Sequence, residues 1–368
     1  MNLLLTMQWT NKEYLFGKCG NFKFSKKVAC FDIDDTIIKT VSGATFAKDD
    51  DDWEFTYKCV PDKLKSYYDK DFCIIFVTNQ RGLKTDDKLT SWKIKIGKIS
   101  KKFNFPFIVY ASITDDFYRK PMPTIFNMIN DEMKIDKTAS FYCGDAAGRK
   151  NDFSDSDLKF AINSNIPFIT PEEFFNDEKK KVSVDDVEYP FEFDKLFNKK
   201  QDKTQFKKVY DKEMIIMTGF PGSGKSNFVE NVLVPLDYKR INRDLLKTKA
   251  KCISECEKNL KKGLSVVIDN TNPDEESRKL YIDLALKYKY KCRSIEMNTP
   301  FDVALHNAHY RCYKSNGKIK VIPKIVYHKY KKDYSAPNKN EGFELLDKID
   351  FVPDKNDIDN YKLYFLSK

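Results

Sequence analysis

Three aspartates follow a short apolar run near the start of the chain, and their spacing suits phosphate chemistry. In CFDIDDTIIKT, residues 30–40, the carboxylates of Asp32, Asp34 and Asp35 crowd the end of the apolar run. Carboxylates so close repel one another and shift each other's pKa values. Either the run simply ends in an acidic turn, or a metal ion or a phosphate-handling site offsets the charge.

The first half of the chain supplies the other groups that a phosphate site needs, each at the end of a predicted strand. A carboxylate that attacks phosphorus needs Mg²⁺, an acid for the leaving group, and cations or hydroxyls around the phosphate oxygens. We assign Asp32 as the nucleophile and Asp34 as the acid and base. A hydroxyl donor, a cation, a metal ligand and an outer supporting carboxylate complete the set: Thr78, Lys120, Asp145 and Asp152. This ordered series favours an assembled site over a chance acidic turn.

A glycine-rich stretch in the second half has the pattern of a phosphate-binding loop. Residues 219–226, GFPGSGKS, match G-x-x-x-x-G-K-[ST] directly after a predicted strand. Glycines let backbone N–H groups converge on phosphate oxygens, and the following helix directs its positive end at the anion. Lys225 is expected to reach the terminal phosphates and Ser226 to hold Mg²⁺. The predicted nucleotide-binding residues are Gly219, Gly222, Ser223, Gly224, Lys225 and Ser226.

Three further features of the second half each allow two interpretations. Asp244, in INRDLLK, can accept a proton from an attacking hydroxyl, but Asn242 or Asp244 can equally cap a helix. Residues 269–271 end a strand at the edge where ligands bind, yet they also suit an ordinary turn. Arg311 can stabilise charge on a transferred phosphate, or it is an ordinary surface arginine.

Short apolar strands separated by helical stretches organise both halves. The predicted strands are KVACFDI, FCIIFV, FIVYAS and SFYCG, and then EMIIMTGF, LSVVIDNTN and YKCRSIEM. Continuous apolar strands that alternate with helices predict mainly parallel, doubly wound sheets. The expected fold class is α/β, with two doubly wound parallel-sheet domains at 1–175 and 212–368. The densely charged stretch 176–211 is expected to connect them.

The overall composition restricts the cellular setting and the partners. With 368 residues, 41% of them hydrophobic, the chain is long enough for two globular domains. No apolar run approaches the about 18 residues that span a bilayer, and the start lacks a signal peptide. Nine scattered cysteines fit reduced thiols, so we expect an intracellular protein, nuclear or cytoplasmic, and not secreted. The formal charge of +10 favours nucleic acid as a partner, or simply a lysine-rich surface.

Taken together, these motifs resemble a known enzyme family. The first half looks like a haloacid-dehalogenase-type (HAD-like) phosphatase and the second like a P-loop kinase. Their pairing resembles the polynucleotide kinase 3′-phosphatase family. The matching stretches run in the family's order: KVACFDIDDTI, FVTNQRG, RKP, FYCGDAAGR, PFITPEEFF, TGFPGSGKSNF, INRD and VVIDNTNPD.

The resemblance implies a DNA strand-break repair enzyme with two activities. The first domain would remove a 3′-phosphate through an aspartyl-phosphate, and the second would be an ATP-dependent 5′-hydroxyl kinase. Mg²⁺ would be held by Asp32, Asp145 and the backbone carbonyl of Asp34, and Asp244 would activate the 5′-hydroxyl. Mg²⁺ and ATP are therefore the expected cofactors. DNA ends, or alternatively RNA ends, are the expected partners of a monomeric enzyme without a membrane association.

The sequence also departs from the family pattern. The family usually has glycine where this chain has Asp35, and the extra charge beside the metal can alter the phosphatase rate. An arginine is common at the position of His309, which leaves Arg311 as the candidate to cover the transferred phosphate. The chain starts almost at the phosphatase, so we expect no N-terminal phosphopeptide-binding domain. A kinase/phosphatase for RNA ends or small metabolites, and a non-catalytic nucleic-acid-binding adaptor, remain the alternative functions.

Overall fold

A computed structural model describes most of the chain. The described residues are 6–179, 182–184, 187–198 and 206–368. Within these residues, no helix has both the length and the apolar character needed to cross a membrane.

The chain divides into two compact units. The first unit comprises the described parts of Met1–Tyr189 together with Cys312–Lys320 and Leu363–Lys368. The second unit comprises those of Pro190–Arg311 and Val321–Lys362. The functional boundaries expected from the sequence stay predictions, and part of the expected connecting segment lies outside the described residues.

The first unit contains a seven-stranded sheet of order β1-β2-β7-β6-β3-β8-β9 and a separate two-stranded sheet, β4-β5. The central pairs β3–β6, β3–β8, β6–β7 and β8–β9 are parallel, while β1–β2 and β2–β7 are antiparallel. The strands are β1 (Met7–Asn11), β2 (Leu15–Cys19), β3 (Lys27–Phe31), β4 (Ile38–Lys39), β5 (Glu54–Phe55), β6 (Phe72–Asn79), β7 (Phe107–Ser112), β8 (Phe141–Cys143) and β9 (Phe168–Ile169).

Helices cover both faces of the large sheet, which explains why its strands are apolar throughout. Along β3, Ala29 and Phe31 join one core cluster, while Val28 and Cys30 join the other. Successive side chains point to opposite faces of a strand, so both faces are buried. The helices are α1 (Val60–Asp69), α2 (Asp86–Ser100), α3 (Thr124–Met133), α4 (Ser156–Ser164) and α5 (Pro171–Asn176).

The second unit contains a parallel five-stranded sheet of order β11-β12-β10-β13-β14. Its elements are α6 (Phe193–Phe197), β10 (Glu213–Thr218), α7 (Lys225–Phe228), β11 (Lys239–Ile241), α8 (Arg243–Leu246), α9 (Lys249–Lys261), β12 (Val266–Ile268), α10 (Glu275–Lys287), β13 (Lys291–Asn298), α11 (Phe301–Lys314), α12 (Lys324–Asp333), β14 (Leu345–Asp350) and α13 (Ile358–Tyr361). Met214 and Ile216 of β10 face one core cluster, and Ile215 and Met217 face the other. A mainly parallel sheet and a fully parallel one, each buried on both faces, confirm the predicted α/β fold class.

Part of the expected connecting segment is folded. Helix α6 lies within 176–211, and its Leu196 and Phe197 are buried against Val303 and Tyr361 of the second unit. Leu196 and Phe197 therefore extend the core of the second unit, whereas Val182 and Val187 of the same segment pack against a core cluster of the first unit.

Two candidate active sites

The ends of two neighbouring parallel strands and one helix bring three carboxylates together in the first unit. Asp32 follows β3, Asp145 lies two residues beyond β8, and Asp157 lies in the first turn of α4. One oxygen of each lies within 4.8 Å of one oxygen of the other two. A Cβ atom at Gly144 would lie 2.4 Å from Oδ2 of Asp157, so only glycine permits this approach. We call Asp32, Asp145 and Asp157 the carboxylate cluster.

Lys120 is hydrogen-bonded to two members of the carboxylate cluster. Its ammonium donates hydrogen bonds to Oδ1 of Asp32 (2.8 Å), Oδ1 of Asp157 (2.7 Å) and the hydroxyl of Tyr142 (2.7 Å). Burial disfavours the charged ammonium, but Asp157 and Asp32 outweigh that effect and raise the pKa of Lys120. All three N–H donors of the ammonium are therefore used by the protein itself.

The carboxylate cluster places three carboxylates around one ammonium, that of Lys120. Burial, and then the charges of Asp157 and Asp32, raise the pKa of Asp145. Thr36 donates to Oδ1 of Asp145 at 3.0 Å and accepts from its backbone N–H at 3.0 Å, which fixes the carboxylate's position. A divalent cation would supply the missing charge, and a few carboxylates with substrate phosphate oxygens are the donors that Mg²⁺ prefers.

Asp34 stands apart from the carboxylate cluster and is held by an amide. Nε2 of Gln80 donates to Oδ2 of Asp34 at 2.6 Å and to the hydroxyl oxygen of the buried Thr78 at 3.0 Å. Loss of solvent around the carboxyl and the nearby charge of Asp32 raise the pKa of Asp34, although Lys95 and Gln80 oppose them. About half of its side-chain surface (51%) stays exposed. A carboxyl with a raised pKa that remains accessible suits an acid and base.

Asp152 supports the loop that carries Asp145. Its Oδ2 accepts from the backbone N–H groups of Ala147 (3.1 Å) and Arg149 (3.0 Å). Nη2 of Arg149 in turn donates to the carbonyl of Asp145 at 3.2 Å. The carboxylate of Asp152 therefore orders the loop backbone and does not join the carboxylate cluster.

In the second unit, residues 219–226 form a tight loop between β10 and α7, here called the phosphate loop. Gly222 has φ +75°, and a Cβ atom there would lie 2.3 Å from the carbonyl oxygen of Ala304. The buried ammonium of Lys225 donates to the carbonyls of Gly219 (2.8 Å) and Phe220 (2.7 Å). Burial, more than the nearby Arg311, lowers the pKa of Lys225 to about 8. An anionic ligand at this loop would favour the charged form again.

The carboxylate of Asp269 lies beside Ser226, the predicted Mg²⁺ ligand. The hydroxyl of Ser226 donates to Oδ1 of Asp269 at 3.2 Å. Oδ2 of Asp269 accepts from Nε of Arg240 (2.8 Å) and from Nδ2 of Asn242 (3.1 Å). A hydroxyl and a carboxylate at the end of a parallel strand are donors that suit Mg²⁺ next to a nucleotide.

The structure separates the roles of Asn242 and Asp244. The side chain of Asn242 caps α8 by accepting from the N–H of Leu245 at 3.1 Å. Asp244 is not needed as the cap, and it lines the same cavity as Lys225 and Ser226. The cavity has a volume of about 700 Å³ and is also lined by Arg311.

The neighbouring His309 does not share the position of Arg311. Its Nδ1 lies 2.9 Å from the carbonyl of Leu305, within α11. Of these two residues, Arg311 is the one that lines the cavity, and its role over a phosphate stays a prediction.

Comparison with known proteins explains why the two sites occur in one chain. The family model "Polynucleotide kinase 3 phosphatase" matches residues 27–175. A bifunctional polynucleotide phosphatase/kinase of Schizosaccharomyces pombe is 36% identical over 363 residues, covering 97% of this chain and 88% of that protein. The chain belongs to the bifunctional polynucleotide phosphatase/kinase family. A putative member from Acanthamoeba polyphaga mimivirus is 37% identical, covering 97% of this chain and 93% of that protein.

Other relatives match only part of this chain. A polynucleotide 3′-phosphatase of Arabidopsis thaliana is 34% identical over 170 residues, covering 41% of this chain and 24% of that protein. The range matched by the family model contains Asp32, Asp34, Thr78, Lys120 and Asp145.

Asp35, the departure from the family pattern, has a backbone conformation that explains the usual glycine. Its φ is +53°, in the left-handed region, and its N–H donates to the carbonyl of Ile38 at 2.7 Å. Aspartate tolerates this region better than most residues, whereas a β-branched side chain does not. We expect Asp35→Val to lower the free energy of unfolding by about 1–2 kcal/mol, while Asp35→Gly retains it. Urea unfolding of the two variants tests this, and equal stability of both would contradict it.

Two functional residues of the first site were missed by the sequence reasoning. Asp157 completes the carboxylate cluster and Thr36 orients Asp145. Thr36 ends the stretch DIDDT, residues 32–36, in which the sequence pattern predicted roles for the aspartates only. The only signal for Asp157 was Gly144, whose missing side chain makes room for it.

Proposed function

We propose that this chain is a polynucleotide 3′-phosphatase and ATP-dependent 5′-hydroxyl kinase that prepares broken DNA strands for ligation. One observation carries the proposal: similarity to a bifunctional relative extends over 97% of the chain, across both candidate sites. Two of the predicted metal ligands, Asp32 and Asp145, belong to the carboxylate cluster, and Lys225, Ser226, Asp244 and Arg311 line one cavity, which supports the proposal. The product ends would be a 3′-hydroxyl and a 5′-phosphate, which are the ends that ligation joins.

In the proposed phosphatase reaction, Asp32 attacks the phosphorus of the 3′-phosphate. The bond from phosphorus to the 3′-oxygen breaks, Asp34 donates its proton to that oxygen, and an aspartyl-phosphate forms on Asp32. Water then attacks the phosphorus, the bond to Asp32 breaks, and Asp34 takes up the proton of the water. The hydrogen bond from Gln80 keeps Asp34 in place for both proton transfers.

The surrounding residues of the phosphatase site hold charge in position. Mg²⁺, when bound by the carboxylate cluster, would neutralise phosphate charge and make phosphorus more electrophilic. Lys120 orients the attacking carboxylate of Asp32 through their 2.8 Å hydrogen bond. The buried hydroxyl of Thr78 lies at the end of β6, where it can donate to a phosphate oxygen.

In the proposed kinase reaction, Asp244 accepts the proton of a 5′-hydroxyl. The 5′-oxygen attacks the γ-phosphorus of ATP, and the bond to the bridging oxygen breaks to release ADP. Lys225 and the phosphate loop bind the phosphates, while Ser226 would hold the Mg²⁺ that accompanies ATP. Arg311 is proposed to stabilise charge on the transferred group from the same cavity.

The composition supports DNA inside the cell as the setting of these reactions. All nine cysteines are free thiols, eight of them buried, as expected in a nuclear or cytoplasmic protein. The formal charge of +10 would aid binding of a nucleic-acid strand. We propose that the protein acts as a monomer on DNA ends.

A single nicked duplex tests the proposed function. The duplex carries a labelled 3′-phosphate and a labelled 5′-hydroxyl at the nick and is incubated with ATP and Mg²⁺. We expect conversion to 3′-hydroxyl and 5′-phosphate ends, and loss of both reactions when a chelator removes the divalent cation.

Matched substrates separate the alternative functions. The same ends on RNA, and free mononucleotides, are compared with the nicked DNA. Faster turnover of RNA or mononucleotides would reject DNA as the substrate class. Tight binding of DNA ends without either reaction would instead identify an adaptor.

A further inference from the structure

The buried face of α2 contains a lysine where the helical pattern calls for an apolar residue. Trp92, Ile96 and Ile99 are buried in the core of the first unit, and Lys95 shares their face. Only 6% of the surface of Lys95 is exposed. Lysine is among the residues least often buried, because its ammonium loses hydration.

The ammonium of Lys95 faces the phosphatase site without a full partner. Its Nζ lies 3.9 Å from Oδ1 of Asp34, which is an ion pair beyond hydrogen-bond distance. It makes no hydrogen bond to the residues that the structure describes. Lys120, in contrast, uses all three of its donors on Asp32, Asp157 and Tyr142. Of these two lysines, Lys95 is thus the one with unused donors.

A purely structural role does not account for Lys95. Gln80 already holds Asp34 through its other oxygen, Oδ2, at 2.6 Å. A methionine at position 95 would cover the same apolar surface without the cost of a buried charge, since replacing a buried ion pair by apolar groups is often neutral or stabilising. A buried cation with free donors next to an acid and base is suited to binding an anion of the substrate.

The chemistry of the substrate suggests which anion this is. Asp34 must lie next to the 3′-oxygen that leaves, and in a polynucleotide the nearest other anion is the internucleotide phosphate on the 5′ side of the same sugar. We propose that Lys95 binds this internucleotide phosphate and so distinguishes strand ends from small phosphomonoesters. This inference rests on the proposed 3′-phosphatase function and adds a specificity-determining residue to it.

Substrates with and without that phosphate test the role of Lys95. The wild type and Lys95→Met are compared on a dinucleotide 3′-phosphate and on a nucleoside 3′-monophosphate, which lacks the internucleotide phosphate. We expect Lys95→Met to raise KM about tenfold or more for the dinucleotide, because a charged hydrogen bond is lost. KM for the nucleoside monophosphate should stay unchanged, and any change in kcat that comes from losing a charge next to Asp34 should be the same on both substrates.

An uncharged linkage completes the comparison. When a methylphosphonate replaces the internucleotide phosphate, the wild type should show about the same rise in KM as Lys95→Met shows on the normal dinucleotide. For Lys95→Met, KM should be nearly the same on the methylphosphonate and on the normal dinucleotide, since both changes remove the same interaction. Lys88→Met, an exposed position of the same helix, controls for the loss of one positive charge.

Three results would overturn the inference. One is equal turnover of phosphate-linked and methylphosphonate-linked dinucleotides by the wild type, which needs no variant to fold. Another is an equal loss of kcat on both substrates in Lys95→Met with KM unchanged on both, because that pattern means Lys95 only positions Asp34. The third is no change on either substrate. Absence of 3′-phosphate removal by the wild type would reject the proposed function itself, and turnover of the nucleoside monophosphate by each variant reports that its first unit is folded.

Discussion

Replacing Asp32 by asparagine is expected to abolish 3′-phosphate removal, by a factor on the order of 10⁴ or more, as for the loss of other catalytic nucleophiles. An amide has the shape of the carboxylate but not its nucleophilic charge, so no aspartyl-phosphate forms. The change also removes the negative charge that Asp32 places next to Lys120, and one of the three carboxylates that would bind Mg²⁺. Release of phosphate from a 3′-phosphorylated strand measures the effect.

The same variant separates catalysis from folding. Asp32→Asn relieves repulsion in the carboxylate cluster, and Asp157 still pairs with Lys120, so the folded first unit should persist. Its 5′-kinase rate should equal that of the wild type. Asp131→Asn, which neutralises an exposed carboxylate of α3, should retain both activities. Phosphate release by Asp32→Asn at the wild-type rate would show that the nucleophile is assigned wrongly.

The fold could be predicted because its determinants are local. The four apolar residues Val28, Ala29, Cys30 and Phe31 read as a strand buried on both faces, and the structure buries them alternately in two cores. The phosphate loop carries its own signal, since its glycines, lysine and serine are neighbours in the chain. Such patterns are written in short stretches and need no knowledge of distant contacts.

The sequence predicts only those residues of the phosphatase site that lie at the ends of strands. Asp32 and Asp145 follow adjacent parallel strands, so their meeting follows from the sheet alone. Asp157 comes from a helix, and Lys95 comes from the buried face of another, where each position would ordinarily face the core. Which side chain of a helix reaches a site depends on how the helix packs, and no spacing in the sequence contains that information.

The roles of Asn242 and Asp244 illustrate a second limit. Both residue types cap helices well, so the sequence left the cap undecided. The structure gives the cap to Asn242, and this leaves the carboxylate of Asp244 at the cavity. A single hydrogen bond in the folded chain thus turned an ambiguous motif into a candidate general base.

Replacing Lys225 by methionine is expected to lower 5′-hydroxyl phosphorylation by about 10²–10³-fold or more, as for the loss of other groups that stabilise transition-state charge. Methionine keeps an unbranched side chain of similar length but cannot donate to a phosphate. The ammonium lies within the phosphate loop and donates to the carbonyls of Gly219 and Phe220 at 2.8 and 2.7 Å. Lys225 is the one cationic residue of this loop, so nothing else in the loop replaces its charge. Transfer of labelled phosphate from ATP to a 5′-hydroxyl strand measures the loss.

The stability and the 3′-phosphatase activity of Lys225→Met show whether its loss is specific to the kinase reaction. Burial already lowers the pKa of Lys225 to about 8, so the neutral methionine removes an electrostatic cost and should not destabilise the second unit. The 3′-phosphatase rate should be unchanged, and Lys331→Met, at an exposed position of α12, should leave both rates intact. Wild-type phosphorylation by Lys225→Met would reject the phosphate loop as the ATP site. If Asp32→Asn loses only 3′-phosphate removal and Lys225→Met loses only 5′-hydroxyl phosphorylation, each half of the chain carries one reaction.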